Sequence, residues 1–140
     1  MKIAVIYWSG TGNTEMMASA VAEGAMTGGA EVDVFEAASF DRTMLDAYDA
    51  VALGCPSMGA EVLEESEFQP MYDSIKADLG DRKVVLFGSY GWGDGEWMRD
   101  WEAELRELGA KLQGDGLIIN ETPDEHGLDS CRALGARLTA

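Results

Sequence analysis

The stretch "KIAVIYWSGTGNTE", residues 2–15, decides how the rest of the chain is read. A short apolar run, Ile3 to Tyr7, gives way at once to glycines and small polar residues, and beyond them the apolar spacing turns helical. That order reads as strand, glycine-rich turn, helix. Such a turn presents unpaired backbone N–H groups and the positive end of a helix dipole, a place for an anion. Ser9, Thr11, Asn13 and Thr14 put four hydroxyl or amide side chains into six residues, more than helix capping needs. A plain Ser/Thr turn capping the helix is the other reading. No lysine or arginine stands between Tyr7 and Glu15, so this is not the lysine-bearing loop of nucleoside triphosphatases. Gly10 and Gly12 begin a dinucleotide-type GxGxxG, but position 15 is Glu. Neutral donors suit a phosphate that stays bound and is not transferred.

Composition sets the outer limits. At 140 residues the chain is one domain, 1–140, long enough to bury a core. Ten basic residues against 26 acidic ones give a net charge of −16, which argues against nucleic acid and anionic membrane surfaces. No apolar run approaches twenty residues, so neither a membrane span nor a signal-peptide core is expected, and a cytoplasmic location follows. Cys55 and Cys131 form no CxxC pair and read as reduced, packed thiols. His126, the single histidine, makes no metal site and belongs on the surface. A monomer is expected.

Working outward from residue 15, strand and helix signals alternate to the end. Runs at Ala50–Leu53, Val84–Phe87 and Leu117–Ile119 are short and almost continuously apolar, as strands covered on both faces should be. "EVDVFE" (31–36) alternates and suits an edge strand. Met17, Ala20, Val21 and Gly24 repeat at helical spacing, as do Phe68, Met71, Tyr72, Ile75 and Leu79, with Gly80 placed as a C-terminal cap. Trp97, Trp101, Leu105 and Leu108, closed by Gly109, form a third stripe; Leu128, Cys131, Gly135 and Leu138 form a fourth. The expected fold class is α/β: a five-stranded, doubly wound parallel sheet in the order 2-1-3-4-5. Ligands bind such sheets at the carboxyl ends of strands. Those ends carry "WSGTGNT", "CPSMGAE" and "GSYGWGDGE".

Trp92, between Gly91 and Gly93, offers a flat face for a planar heterocycle or folds onto the protein body; Tyr90 is open to the same two readings. Met58 can cover a ring, Gly59 lets its peptide plane rotate, and Glu61 can accept from a ring N–H. Taken together, the three loops resemble those of flavodoxins, in particular the short-chain form of anaerobic bacteria, over essentially the whole chain. That resemblance implies non-covalently bound FMN. Ser9, Thr11, Asn13 and Thr14, with their backbone amides and the turn glycines Gly10 and Gly12, would hold its phosphate. Trp92 would stack on one flavin face, Met58 would line the other, and Glu61 would accept from N3–H. The Gly59–Ala60 peptide would turn over on reduction, with Ala60 standing where relatives often carry Asp, Ser or Gly. Trp8, Ser57, Ser89, Tyr90, Gly91 and Gly93 complete the implied contacts, with Asn120 near the ribityl chain. No catalytic residue and no metal ligand are implied.

The implied function is electron transfer without enzymatic turnover: a low-potential one-electron carrier shuttling between semiquinone and hydroquinone. Its partners would be basic surfaces of redox proteins, such as ferredoxin-type oxidoreductases, hydrogenase or reductases. The neutral cradle, and Glu61, Glu64, Glu65 and Glu67 in "EVLEESE", would keep negative charge beside the ring and oppose the second electron. A new N5–H hydrogen bond worth roughly 1.5 kcal/mol would favour the first electron by about 60 mV. An FMN-dependent NAD(P)H or quinone reductase of the same fold is the rival reading. A signalling receiver module is excluded, because Tyr7–Trp8 and Gly54–Cys55 stand where its acidic residues belong.

Overall fold

A computed structural model describes residues Met1–Ala140. Strand β1 (Lys2–Tyr7) pairs in parallel with β2 (Glu31–Glu36) on one side and β3 (Ala50–Gly54) on the other. Strand β4 (Lys83–Tyr90) follows beside β3, and with a fifth strand position beyond it the sheet has the expected order 2-1-3-4-5. Successive side chains on a strand point to opposite faces. Ile3, Val5 and Tyr7 therefore join one core cluster, whereas Ala4 and Ile6 join the other. Both faces are covered, which is why the central strands read as unbroken apolar runs. β2 pairs only with β1, and Glu31, Asp33, Val34 and Glu36 are exposed, as an edge strand allows.

The two faces are built differently. Helices α1 (Asn13–Thr27) and α5 (Glu125–Arg137) cover a core rich in small residues, among them Ala18, Ala20, Ala22 and Ala25. They cross at Gly24 and Gly135, where a Cβ would lie 1.9 Å from the Arg132 carbonyl oxygen or 2.0 Å from that of Val21, so only glycine fits. The opposite face takes α3 (Phe68–Ile75) and α4 (Glu96–Glu107), which bury Phe68, Tyr72, Trp97 and Trp101. Cys55 and Cys131 are free and buried in opposite cores, where loss of hydration pushes each thiol up to about 12. His126 is exposed, as expected.

Four expectations need correcting. The fifth strand position is split: β5 (Lys111–Leu112) pairs with the start of β4 and β6 (Leu117–Asn120) with its end. The segment between them breaks the ladder at Gly114, whose φ of 115° no strand residue adopts. Leu108 is exposed as the residue ending α4 and is not part of its buried stripe, while Gly109 beyond it does take the left-handed cap conformation. After α3 the chain tightens into a 3₁₀ turn at Lys76–Asp78, and the left-handed residue there is Asp81, not Gly80. Finally, β4 extends to Tyr90, so Ser89 and Tyr90 lie on the strand itself. The short helix α2 (Arg42–Leu45), started by Asp41, carries too few residues to show a period.

Candidate functional site

The carboxyl ends of β1, β3 and β4 open on one cleft of about 330 Å³, within the range of small-ligand sites. From the first loop it is lined by Trp8, Ser9, Gly10, Thr11, Asn13 and Thr14; from the second by Pro56, Ser57 and Met58; from the third by Ser89, Tyr90 and Gly91. Eleven of these twelve are expected site residues, Pro56 being the exception. Glu121 completes the lining.

Helix α1 begins at this cleft in an unusual way. Its cap residue is Gly12, with φ 94°, and no side chain accepts from the N–H groups of Asn13, Thr14 or Glu15. The Ser9 hydroxyl accepts instead from Gly12 N–H, one residue before the helix, at 3.1 Å. Thr14 is fully buried, its hydroxyl 3.0 Å from that of Ser89 and accepting from Ser89 N–H at 3.4 Å. This contact ties the turn to the end of β4 across 75 residues of sequence. The plain capping reading of the turn therefore loses its basis: the hydroxyls close the loop, and the helix start is left free for an acceptor from outside.

Every other helix start is satisfied by a carboxylate. Asp41 accepts from Thr43 N–H at α2, and Asp124 from Gly127 N–H at α5. At α3 the Glu64 carboxylate accepts from Ser66, Glu67 and Phe68 N–H at 2.7–2.8 Å. Burial alone would raise its pKa, but the three donors outweigh that and hold it below the ordinary carboxylate range. At α4, Glu61 Oε1 accepts from Gly95 and Glu96 N–H, both at 3.2 Å. Glu67 takes the Trp8 indole N–H at 3.0 Å. Of the four glutamates in this segment, Glu61, Glu64 and Glu67 each accept hydrogen bonds as carboxylates, and only Glu65 is without such a partner.

The rest of the second loop is a narrow hairpin. Met58 and Val62 exchange both backbone hydrogen bonds, at 2.9 and 3.1 Å, around Gly59, Ala60 and Glu61. Gly59 has φ 44° and Glu61 φ 54°, so the tip already sits in the left-handed region. Gly59 and Ala60 are exposed beyond the cleft lining. So is Trp92, two-thirds exposed at 66%, next to Gly93. Tyr90 is half-buried, its ring 5.8 Å from that of Trp97, so it packs on the body while still lining the cleft.

Asn120 does not reach the cleft: its amide donates to the Tyr90 carbonyl at 3.3 Å. The next residue does. Glu121 lines the cleft with φ 57°, its N–H also on the Tyr90 carbonyl at 2.8 Å. Asn120 marked the right strand end but missed the bulge-like turn that passes the role one residue on. Pro56 had a signal too, since proline keeps the chain extended as it leaves β3.

Comparison with known proteins agrees with this geometry. A sequence model of the family described as Flavodoxin matches residues 5–135. The flavodoxin of Clostridium beijerinckii is 43% identical over 134 residues, covering 96% of both chains. That of Megasphaera elsdenii is 42% identical over 136 residues, covering 95% of both. The solution structure of the two-electron reduced Megasphaera elsdenii flavodoxin superposes with a TM-score of 0.88, covering 98% of each chain at 38% identity. With the family model spanning most of the chain and the flavodoxin strand order present, the chain belongs to the flavodoxin family.

Proposed function

We infer that this flavodoxin, an FMN-binding electron carrier and not an enzyme, works as a low-potential one-electron shuttle whose cleft grips FMN by its phosphate. The observation that carries the reading is the open start of α1: it faces the cleft, has neutral hydroxyl and amide neighbours, and takes no carboxylate. A phosphate dianion suits that donor set, because N–H groups and a helix dipole stabilise it without a counter-cation. Ser9, Thr11 and Asn13 would add side-chain donors. Thr14 would hold the turn to Ser89.

When bound, FMN supplies a ring that takes up electrons one at a time. Met58 and Trp92 would hold that ring, and the hairpin tip at Gly59–Ala60 would offer it backbone groups. Glu61 keeps one oxygen on the start of α4 and would turn the other toward the ring's N–H, joining the second loop to the third through the cofactor. Because the cradle brings no cation, the phosphate charge would stay uncompensated, and a negative environment around a bound flavin would lower its potential. The charge of −16 also favours encounter with basic surfaces of redox partners, ferredoxin-type oxidoreductases, hydrogenase or reductases among them. No helix is long and apolar enough to cross a membrane. A cytoplasmic monomer fits these features.

Absorption spectroscopy during reductive titration tests the reading. The purified protein should be yellow, take up one equivalent of FMN and reduce in two separate one-electron steps. It should oxidise NAD(P)H only sluggishly without a reductase. Rapid turnover with NAD(P)H and quinones would instead support the FMN-dependent reductase, which no feature of the cleft favours.

A further inference from the structure

Trp8 is partly buried, packed against the core on one side and facing the loops on the other. Its backbone is fixed: the N–H donates to Gly54 O at 3.0 Å and extends the β1–β3 ladder by one residue. Its indole then lies across the first turn of the phosphate loop, so close to Gly10 that a Cβ there would stand 3.0 Å from Cη2 and 3.3 Å from Cζ3. Core tryptophans are held by neighbours on every side. This one has the main cleft on one side and a second cavity of about 90 Å³ on the other, walled by Tyr7, Ser9, Glu36, Ala37, Ala38 and Glu67. The ring therefore packs on the core while two of its edges face open space. One directional contact fixes the ring's orientation, the hydrogen bond from Nε1 to Glu67 Oε1 at 3.0 Å, which spans 59 residues of sequence.

Glu67 is itself well placed to serve as an anchor. It is the residue from which α3 starts, and its N–H is held by the buried Glu64 carboxylate at 2.7 Å. The chain from core to loop is thus Glu64, Glu67, Trp8, Gly10.

We propose that Glu67 is a positioning residue for cofactor binding, acting through Trp8: it latches the indole across Gly10 and so holds the Ser9–Thr11 turn in its phosphate-gripping shape. The proposal rests on the cleft holding FMN by its phosphate. The latch needs an acceptor at position 67, not a charge. A loop that must first be ordered binds more weakly and releases sooner, because the ordering cost falls on the binding step.

The test uses the full-length protein freed of cofactor and titrated with FMN and with riboflavin, alongside release rates and thermal melting. Glu67→Ala and Trp8→Phe, which remove acceptor and donor in turn, should each weaken FMN binding about tenfold, the scale of one hydrogen bond, mainly through faster release. Glu67→Gln, whose amide oxygen still accepts, should stay within about twofold of the wild type. The double variant Trp8→Phe with Glu67→Ala should be no weaker than either single one. Riboflavin affinity and the melting temperature of the cofactor-free protein should hardly move. The latch is overturned if Glu67→Ala binds FMN like the wild type, if Glu67→Gln loses as much as Glu67→Ala, or if the two substitutions add. Failure of the wild type itself to prefer FMN over riboflavin would overturn the phosphate reading beneath it, which separates the two failures.

Discussion

Helices α1 and α3 both begin at the carboxyl edge of the sheet, after a loop leaving a buried strand, yet they finish their first turns in opposite ways. At α3 the chain folds its own Glu64 carboxylate onto three N–H groups and buries it. At α1 it offers glycine, serine, threonine and asparagine and supplies no acceptor. The physical need is the same in both places, since orphan donors at a helix start require a partner. The difference teaches where the partner comes from: at α3 it is covalently part of the chain, and at α1 it must come with a ligand. A protein that closes four helix starts with carboxylates and leaves the one in its cleft open has marked an anion site by omission.

The sharpest way to break this contrast is to make α1 resemble α3. Ser9→Asp would bring a carboxylate to the turn that Ser9 now closes through Gly12 N–H. A carboxylate in place of that hydroxyl would face the phosphate dianion, a repulsion of at least about 4 kcal/mol even at an effective dielectric near 20. FMN affinity should fall by that order in a fluorescence titration while the cofactor-free protein melts no lower than the wild type.

The reverse experiment opens α3. Glu64→Ala leaves three N–H groups without their acceptor and should cost about 2–3 kcal/mol of folding stability by denaturant unfolding. A lowered folded-state pKa also fixes the sign of the pH dependence. Glu64's contribution is present above the ordinary carboxylate pKa and is lost as pH falls through the lower folded value. The wild type should therefore lose stability on acidification over that window, and Glu64→Gln should lose less.

A smaller effect is expected where the open turn is braced. Thr14→Val keeps the shape but removes the hydroxyl between the loop and Ser89, stranding a buried partner. FMN binding should weaken by about 1–3 kcal/mol. Smallest is the rim. Trp92→Ala, at an exposed site away from the helix start, should cost about 0.5–1.5 kcal/mol beyond lost area. It should weaken FMN and riboflavin by the same factor, because it touches the ring and not the phosphate.

How much of this was legible follows the same division. Strands buried on both faces, such as Ala50–Gly54, announce themselves as apolar runs, and the order of strand and helix then admits few topologies. The glycine-rich turn was legible because residue type there is dictated by local backbone and donor chemistry. What stayed hidden was long-range. Nothing around Glu64 says that its carboxylate turns back into the core, because acidic runs usually face solvent and the distinction depends on where Phe68 packs. Glu61's hold on α4 needs two loops 35 residues apart to meet. Glu121 was missed by one residue, since the cleft-facing position depends on a left-handed backbone that sequence marks clearly only when glycine supplies it. The split at Gly114 and the exposure of Leu108 are failures of the same kind, in which tertiary geometry overrides a good local pattern.

The central claim, that the open start of α1 is completed by the phosphate of the cofactor, is tested most directly by titrating one preparation of cofactor-free wild-type protein with FMN and with riboflavin. The two differ only in the phosphate. If three helix N–H groups and the neutral side chains grip it, FMN should bind at least about a hundredfold more tightly, on the order of 3 kcal/mol for two or more charge-assisted hydrogen bonds. Equal affinities for the two would contradict the account and return the turn to an ordinary loop.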